Sequence, residues 1–554
     1  MAAPPIVASP AATSEADLGP RARAARLAVS PAVLSVVALT AIGAVLRVIV
    51  AHQSVFADEL STYWISVTHG LGSVLSLLYS SGRIQHAEIS PPLSFLASWL
   101  STRPGATVEL LRVPALLAGT ATIPVVYLLG RRALGRRAGV LAAALTALSP
   151  FMIYYSAEAR AYGLMMFLLA CSTLSMLLAI DTGRGRYWVL FAVCSAAAFY
   201  THYTSAFVLA VQLLWLWWAE PQARRRALIA NAAAAALVLP WIPGLIADFR
   251  SSTLTLLSAL SPFNAHAVRV DIEHWALGYP YTVAAGLREI PGSPSLVLLA
   301  AATVLAAGGV ALAARRGGWA GPLRWVSPAA GRSLRGRRLV LVVALMLATP
   351  VGEILGSAVG NHIIGVRDLA ASWPYLALAA AAFVTAAGPR VGTVAALLAL
   401  AAFALGAPKL LEARFSRPDY QSAADYVASH ARAGDVVIDE TGGLSPGPLT
   451  GFDVAFHRRL AVFRALAPAE RDHPYTVFDP RVPLASAFAR AVNAARGARV
   501  FIVSVRVPNV ASVAGLAPAP SELPGGYRRQ SQHGYAGFQL TQVSVYSRAP
   551  AAAP

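Results

Sequence analysis

The sequence predicts an α-helical polytopic membrane protein, of about eleven transmembrane helices plus juxtamembrane helices, with a small C-terminal α/β domain. Of its 554 residues, 56% are hydrophobic and only 13% are charged, whereas a soluble domain carries about 25% charged residues. Many apolar runs reach the roughly 20 residues that a helix needs to cross a bilayer. Backbone polar groups inside the hydrocarbon must pair within their own segment, so these runs are predicted to be helices.

The basic residues indicate how these helices are oriented. Lysine and arginine total 45, give a formal net charge of +19 and cluster in short stretches between apolar runs. Cytoplasmic loops of membrane proteins are enriched in such residues. Placing every arginine-rich stretch inside puts the N-terminus in the cytoplasm and the C-terminal domain outside. The predicted spans are 31–51, 109–130, 138–155, 160–180, 187–203, 204–219, 227–246, 293–314, 339–357, 368–387 and 391–408.

The chain divides into three predicted parts. Residues 1–28 are rich in alanine and proline and are predicted to be a disordered cytoplasmic tail. The apolar run that follows is too long for a signal-peptide core and lacks a small-residue cleavage site, so it is predicted to be retained. Residues 29–411 form the predicted transmembrane domain, with long outer loops at 52–108 and 247–291. Residues 412–554 form the predicted extracytoplasmic domain.

The outer domain shows both helical and strand patterns. The predicted helices are 419–430 and 484–496, and the predicted strands are 435–439, 499–504 and 538–546. It contains no glycine-rich phosphate loop and no metal-ligand spacing. We expect it to bind acceptor or partner molecules, or only to support the last helix.

Composition also narrows the setting and the partners. Lys409 is the only lysine, and alanine, glycine and proline are abundant, which indicates a GC-rich bacterial genome and therefore a bacterial plasma membrane. Outside the spans there is no basic stripe with interleaved aromatic residues, so nucleic acid is not an expected partner. Cys171 and Cys194 lie in apolar runs, so neither a disulfide framework nor a zinc site is predicted.

In this predicted membrane topology, polar residues lie together at the outer ends of helices. Ionisable groups at membrane depth are costly and usually functional, so we expect these residues to converge on one outward-facing cavity. They are Asp58, Glu59, Glu158, Arg160, Tyr162, His202, Tyr203, His362, Arg367 and Asp368. A carboxylate there can serve as a general base for a hydroxyl group, and an arginine can hold a phosphate by forked hydrogen bonds. The combination suits transfer of a group from a membrane-borne phosphate to a hydroxyl.

Each residue also has a purely structural alternative. Asp58 and Glu59 could cap a juxtamembrane helix, because carboxylates favour helix N-termini. Glu158 and Arg160 could form a surface ion pair. Arg367 could be an interfacial anchor whose charge reaches toward water.

Several segments between residues 50 and 390 carry these residues in a characteristic order. They are FADELSTYW, ISPPLSFLASWL, RVPALLAGTATIPVVYLLGRRALGRRAG, SPFMIYYSAEARAYGL, FYTHYTSAF and GVRDLAASWPYLALAAA. Their order resembles the GT-C superfamily of membrane glycosyltransferases, in particular the branch of protein O-mannosyltransferases and lipid A aminoarabinose transferases.

The resemblance implies roles for four residues. The acidic residue of the first outer loop is the catalytic base in that superfamily and corresponds to Asp58. An acidic position in the second outer loop also lies in the active site and corresponds to Glu158. Arginines near outer helix ends hold the lipid phosphate, and the candidates here are Arg160 and Arg367. The implied donor is a polyprenyl-phosphate sugar used on the outer face, so no nucleotide sugar is needed.

The sequence also departs from the pattern of the superfamily. Further candidates for donor binding are His86 and Tyr162, and candidates for supporting the site are Glu59, Tyr63, His202 and Tyr203. The superfamily often has histidine or lysine directly before the proline pair, where this chain has Ser90, and His86 is the candidate substitute. Asp368 follows Arg367 where an aromatic residue is common.

The predicted function is therefore inverting transfer of a hexose or pentose from a polyprenyl-phosphate donor to a hydroxyl of a cell-envelope glycan, lipid or protein. The alternatives are a transporter or flippase of lipid-linked sugars and a non-catalytic envelope scaffold. Transporters place ionisable groups near the bilayer midplane between paired repeats, whereas here the groups lie at outer helix ends. Some relatives use a divalent cation to bridge carboxylates and phosphate, but the spacing here does not demand one.

The two long outer loops are predicted to form the walls and lid of the site. In the segment 60–78, apolar residues at spacings of three and four predict one amphipathic helix that lies flat on the membrane or on its neighbours. In the second loop, Asp271, Glu273, His274 and Trp275 form a polar and aromatic cluster that suits sugar contact.

Overall fold

The N-terminal part of the chain is a bundle of helices. The computed structural model describes residues 30–56, 58–79, 88–280, 291–315, 333–360, 362–413, 415–444, 449–464, 484–506 and 519–548. The predicted tail and His86 lie outside these residues. The helices are α1 (Pro31–Val50), α2 (Asp58–Thr68), α3 (Leu71–Tyr79), α4 (Leu93–Ser101), α5 (Val108–Ala133), α6 (Arg136–Leu148), α7 (Pro150–Ser156), α8 (Ala161–Thr182), α9 (Gly185–Phe199), α10 (Ser205–Ala219), α11 (Arg224–Val238), α12 (Ile242–Phe249), α13 (Thr253–Leu260), α14 (Ala265–Leu277), α15 (Ser293–Arg315), α16 (Leu334–Val359), α17 (Trp373–Ala386) and α18 (Pro389–Gly406). A short 3-10 helix, Val366–Ser372, leads into α17.

Eight helical segments of the described chain are long and apolar enough to cross a bilayer. The pair α6 and α7, which bends by 60°, can be counted as a ninth. The helices α9 and α10 are apolar but have only 15 residues each. Every predicted span coincides with one of these segments, although the predicted count of about eleven exceeds the eight or nine that meet the length criterion. The predicted fold class is confirmed.

Large apolar side chains cover the outside of the bundle. Leu34 on α1, Trp217 on α10 and Leu397 on α18 are all more than half exposed. Soluble proteins rarely leave large contiguous apolar patches in water, whereas lipid accepts them. The protein is therefore a multi-pass membrane protein.

Close packing of α5, α7 and α8 fixes the turn between α7 and α8. A Cβ atom on Gly119 would collide with the side chain of Ser156. A Cβ atom on Gly163 would lie 2.9 Å from the carbonyl oxygen of Ala115. Both glycines therefore allow backbones to approach closely, and residues 157–160 are held against the outer end of α5.

Within its described residues, the first outer loop contains three short helices, and the segment 60–78 is not one continuous helix. The predicted helix over 60–78 is wrong in one respect, because α2 ends at Thr68 and α3 begins at Leu71. Gly70 lies at the break, and glycine is a poor helix former. The side chains of Trp64 and Val74 still pack in one buried cluster. The helices α2 and α3 therefore pack on their neighbours, which is one of the two predicted arrangements, but with a bend between them.

The described part of the C-terminal domain is built on one mixed sheet. Its elements are α19 (Tyr420–His430), β1 (Val436–Glu440), α20 (Gly451–Ala455), β2 (Ala461–Arg464), α21 (Leu484–Ala495), β3 (Val500–Arg506), β4 (Glu522–Leu523), β5 (Tyr527–Tyr535) and β6 (Leu540–Arg548). The strand order is β2-β1-β3-β6-β5-β4, with β1 parallel to β2 and β3 and the other pairs antiparallel. Phe488 of α21 packs in a cluster with Ile438 on one face, and Val427 of α19 packs in a cluster with Val437 on the other.

Candidate active site

Arg112 of α5 fixes the connection between α1 and α2. Its side chain is 1% exposed, and its Nη1 atom donates to the carbonyl oxygens of Ala51 and Gln53, both at 2.6 Å. It also donates to the carboxylate of Glu59 through Nε at 2.9 Å and through Nη2 at 2.6 Å. This forked contact determines where the N-terminus of α2 lies.

Glu59 is a fully buried anion with several donors. Besides Arg112, the backbone N–H of Ala159 donates to it at 2.6 Å, and Arg417 forms a further ion pair. Burial opposes its ionisation, but the charges of Arg112 and Arg417 outweigh burial and lower the pKa of Glu59 to about 2. Glu59 therefore organises the site and is poorly suited to accept a proton from a substrate.

Asp58, the preceding residue, is more accessible. Its carboxylate forms an ion pair with Arg367 of the short helix before α17, and the two side chains are 16% and 39% exposed. Burial raises the pKa of Asp58, but the positive charges of Arg367 and Arg160 outweigh this effect and hold it below the usual value. The pair brings together a carboxylate and an arginine that are 309 residues apart in the sequence.

Glu158 lies on the turn between α7 and α8. A guanidinium nitrogen of Arg417 is 3.6 Å from its carboxylate. Burial raises the pKa of Glu158, and the charge of Arg417 only partly offsets that effect. The alternative ion pair with Arg160 is not formed, because Arg160 is directed to another carboxylate.

That carboxylate belongs to Glu88, just before the proline pair. Arg160 donates to its two oxygens at 3.1 and 3.3 Å, and also to Thr62 Oγ1 at 3.3 Å. The hydroxyls of Ser61 and Ser90 donate to Glu88 at 2.8 and 2.6 Å. Arg160 therefore joins α2, the segment before α4 and the turn before α8. Arg160 is buried and paired with Glu88, whereas Arg367 is partly exposed. Arg367 is therefore the more accessible of the two candidate phosphate-binding arginines.

His202 lies beside this charged group. Its ring centroid is 5.5 Å from that of Tyr162, and its Nδ1 atom is 3.0 Å from Thr204 Oγ1. Burial, followed by the charges of Arg160 and Arg367, lowers the pKa of His202 to about 3. The imidazole is therefore neutral and can exchange hydrogen bonds with a sugar hydroxyl.

The structure places two predicted supporting residues in other contacts. Tyr63 donates its hydroxyl to the carbonyl oxygen of Ala106 at 3.1 Å. Tyr203 forms a hydrogen bond to Asp248 and accepts one from Trp241 Nε1 at 3.0 Å. Both tyrosines thus tie neighbouring outer segments together.

The prediction missed three residues that hold the charged group together, namely Glu88, Arg112 and Arg417. Arg112 lies in one of the segments that carried the resemblance, and Glu88 directly precedes another. A charged residue in such an apolar segment could have been recognised as a candidate site residue from the sequence. Arg417 lies beyond the last helix and had no local signal. Within the described residues, no three histidine, cysteine, aspartate or glutamate side chains are grouped as metal ligands. That the site does not demand a divalent cation stays a prediction.

Comparison with known proteins supports the class suggested by this geometry. Residues 90–245 match the family of dolichyl-phosphate-mannose-protein mannosyltransferases, and this range includes Glu158, Arg160 and His202. No curated protein matches the sequence. The family match confirms the resemblance to GT-C membrane glycosyltransferases for this part of the chain.

The matches to solved structures are distant. The chain is 13% identical to ArnT from Cupriavidus metallidurans bound to undecaprenyl phosphate, with a TM-score of 0.48 over 94% of this chain and 99% of that one. It is 13% identical to the oligosaccharyltransferase AglB from Archaeoglobus fulgidus in complex with an inhibitory peptide and a dolichol-phosphate, with a TM-score of 0.43 over 85% and 69%. For the Saccharomyces cerevisiae Pmt1–Pmt2 complex bound to the sugar donor, the identity is 14% and the TM-score 0.30 over 46% and 37%.

Proposed function

We propose that the protein is an inverting glycosyltransferase that moves a sugar from a polyprenyl phosphate to a hydroxyl acceptor on the outer face of a bacterial plasma membrane. The ion pair between Asp58 and Arg367 carries this proposal. It combines a candidate base with a phosphate-binding group that is partly open to solvent. The acceptor belongs to the class of envelope glycans, lipids or proteins, and neither a nucleotide sugar nor a divalent cation is required.

The ion pair suggests how the donor activates the base. The phosphate of the donor competes with Asp58 for Arg367, because guanidinium groups bind phosphate by forked hydrogen bonds. Once Arg367 turns to the phosphate, Asp58 loses the charge that lowers its pKa most strongly among the neighbouring groups. Its carboxylate becomes more basic and can take the proton of the acceptor hydroxyl.

The transfer step is a single displacement. The acceptor oxygen attacks the anomeric carbon and its proton passes to Asp58. The bond between the anomeric carbon and the phosphate oxygen breaks, and its electron pair leaves with the polyprenyl phosphate, which Arg367 stabilises. Attack opposite the leaving group inverts the anomeric configuration. In this scheme Glu158 and the neutral His202 hold hydroxyls of the sugar or acceptor.

The proposal is tested with the purified protein in lipid nanodiscs. A panel of polyprenyl-phosphate hexoses and pentoses is supplied with envelope extract as acceptor, and release of polyprenyl phosphate is followed. Acceptor-dependent release with inverted product supports the proposal. Movement of a labelled lipid-linked sugar across proteoliposomes without cleavage would instead establish a flippase. If the protein shows neither activity, the result favours the non-catalytic scaffold.

Arg367→Ala is expected to raise the donor KM and lower kcat/KM by about 10- to 100-fold, because a hydrogen bond to a charged group contributes about 1.5–3 kcal/mol. Arg250→Ala is the matched control, since Arg250 is an exposed arginine at the end of α12 in the second outer loop. Steady-state kinetics with varied donor measure the effect. Equal donor KM values in the two variants would show that Arg367 does not bind the phosphate.

A further inference from the structure

The C-terminal domain is packed against the helix that carries Asp58. Val454 of α20 lies in one buried cluster with Val55, Leu60 and Leu111. A second contact joins the rings of Phe56 and Phe538, whose centroids are 5.0 Å apart. The domain therefore contacts α2 and the segment before it, rather than lying apart from the bundle.

Hydrogen bonds from backbone N–H groups also join the C-terminal domain to the segment before α2. The backbone N–H of Arg417 donates to Gln53 Oε1 at 3.1 Å, and that of Tyr420 donates to Ser54 Oγ at 3.1 Å. The N–H of Phe538, next to β6, donates to the carbonyl oxygen of Ser416 at 2.8 Å. The chain entering the domain is thus held between the sheet and the start of α2.

Arg417 extends from this connection into the charged group. Its side chain is 7% exposed, pairs with Glu59 and places a second nitrogen 3.6 Å from Glu158. Its guanidinium lies 5.6 Å from the ring centroid of Tyr154. One side chain of the C-terminal segment therefore contacts two carboxylates that belong to separate parts of the membrane domain.

We infer that Arg417 is a positioning residue through which the C-terminal domain completes the active site, because it contacts Glu59 and Glu158 together and holds Glu158 in register with α2. This inference rests on the proposed function. Glu59 and Glu158 are two carboxylates, and Arg112 and Arg417 are the two guanidinium groups that contact them. Loss of Arg417 leaves two carboxylates facing one guanidinium, and Glu158 is the carboxylate without a contact to Arg112.

The shape of arginine matters for this role. A planar guanidinium offers several N–H donors in a fixed fork, so one side chain can contact Glu59 and Glu158 together. Lysine carries the same charge on a single ammonium group and cannot reproduce this geometry. Arg417→Lys should therefore keep part of the effect of the positive charge on Glu158, but should hold the Glu158 side chain in place poorly.

Arg417→Met is expected to lower kcat on the order of 100-fold, the size of effect that misplacement of about 1 Å can have. The donor KM should change little, because Arg367 and Arg160 remain. Without Arg417 the pKa of Glu158, already raised by burial, rises further, so the acid limb of the kcat profile should move to higher pH. Arg417→Lys should show a smaller displacement.

Arg528→Met is the matched control, because Arg528 belongs to the same domain and is largely exposed. Size-exclusion elution and thermal unfolding report whether each variant is folded. An unchanged acid limb in folded Arg417→Met, with active unsubstituted protein, overturns the inference and leaves the proposed function in place. Absence of any transfer by the unsubstituted protein counts against the proposed function alone.

Infrared spectroscopy needs no turnover and tests the inference even if the unsubstituted protein shows no transfer. At neutral pH, the infrared C=O band of protonated carboxylic acids should be stronger in Arg417→Met than in the unsubstituted protein. Arg528→Met should show no such increase, and the increase should disappear in the double variant Arg417→Met, Glu158→Gln. If the band does not increase, or if the increase persists in the double variant, Arg417 does not favour the ionised form of Glu158.

Discussion

Asp58→Asn is expected to reduce transfer about 100- to 10,000-fold, the range associated with loss of a general base. Asparagine keeps the shape of the side chain but cannot take a proton from the acceptor hydroxyl at neutral pH. The amide also ceases to compete for Arg367 as an anion. Donor binding should therefore be at least as tight as in the unsubstituted protein, while kcat falls.

Two measurements separate these effects. Turnover is followed with saturating donor and acceptor, and binding of the polyprenyl-phosphate sugar is measured by calorimetry in nanodiscs. Glu109→Gln is the matched control, because Glu109 lies in the first turn of α5, is exposed, and undergoes the same change from carboxylate to amide. Near-normal turnover of Asp58→Asn would eliminate Asp58 as the base.

The membrane part of the fold could be predicted because its dominant signal is local. A run of apolar residues long enough to span a bilayer permits little besides a helix. The break at Gly70 was harder to predict, because the spacing of Leu60, Trp64, Val74 and Leu78 remains helical on both sides of it. Tertiary contacts of α2 and α3 decide the bend, and periodicity carries no information about them.

In the C-terminal domain, three apolar strands were predicted, whereas the short strands β2 and β4 and the polar strand β5 were not. The strands β1, β3 and β6 match predicted segments to within two residues. The sequence of β5, YRRQSQHGY, lacks alternating apolar residues, and most of its side chains are exposed or half-buried. Its strand conformation comes from pairing with β6, an interaction between distant residues of a kind that no local pattern reveals.

The sequence could predict the residues of the site because they are ionisable or hydrogen-bonding side chains at the outer ends of different helices. The sequence identified Asp58 and Arg367 individually, and their ion pair follows only from the tertiary fold, which brings the N-terminus of α2 near the short helix before α17. Glu158 and Arg160 looked like mutual partners because they are close in sequence. In the structure each finds a more distant partner, Arg417 and Glu88 respectively.

Glu59→Gln is expected to destabilise the protein by about 3–5 kcal/mol, the usual result of removing one partner from a buried ion pair. The substitution leaves Arg112 and Arg417 as buried charges without the anion that they share. The pKa of Glu59 is lowered from 4.5 to about 2, so its contribution is present above pH 4.5 and is lost as the pH falls toward 2. The variant should therefore lack this part of the acid dependence.

The effect is measured as the midpoint of thermal unfolding in nanodiscs between neutral and acid pH. Glu109→Gln again serves as the control, since it removes an exposed carboxylate from the same outer region and should unfold like the unsubstituted protein. The difference between the two variants should be large at neutral pH and shrink as the pH approaches the pKa of Glu59. Equal midpoints for both variants at neutral pH would show that the two arginines find other counterions, and that Glu59 is not the anion on which the arrangement of α2 depends.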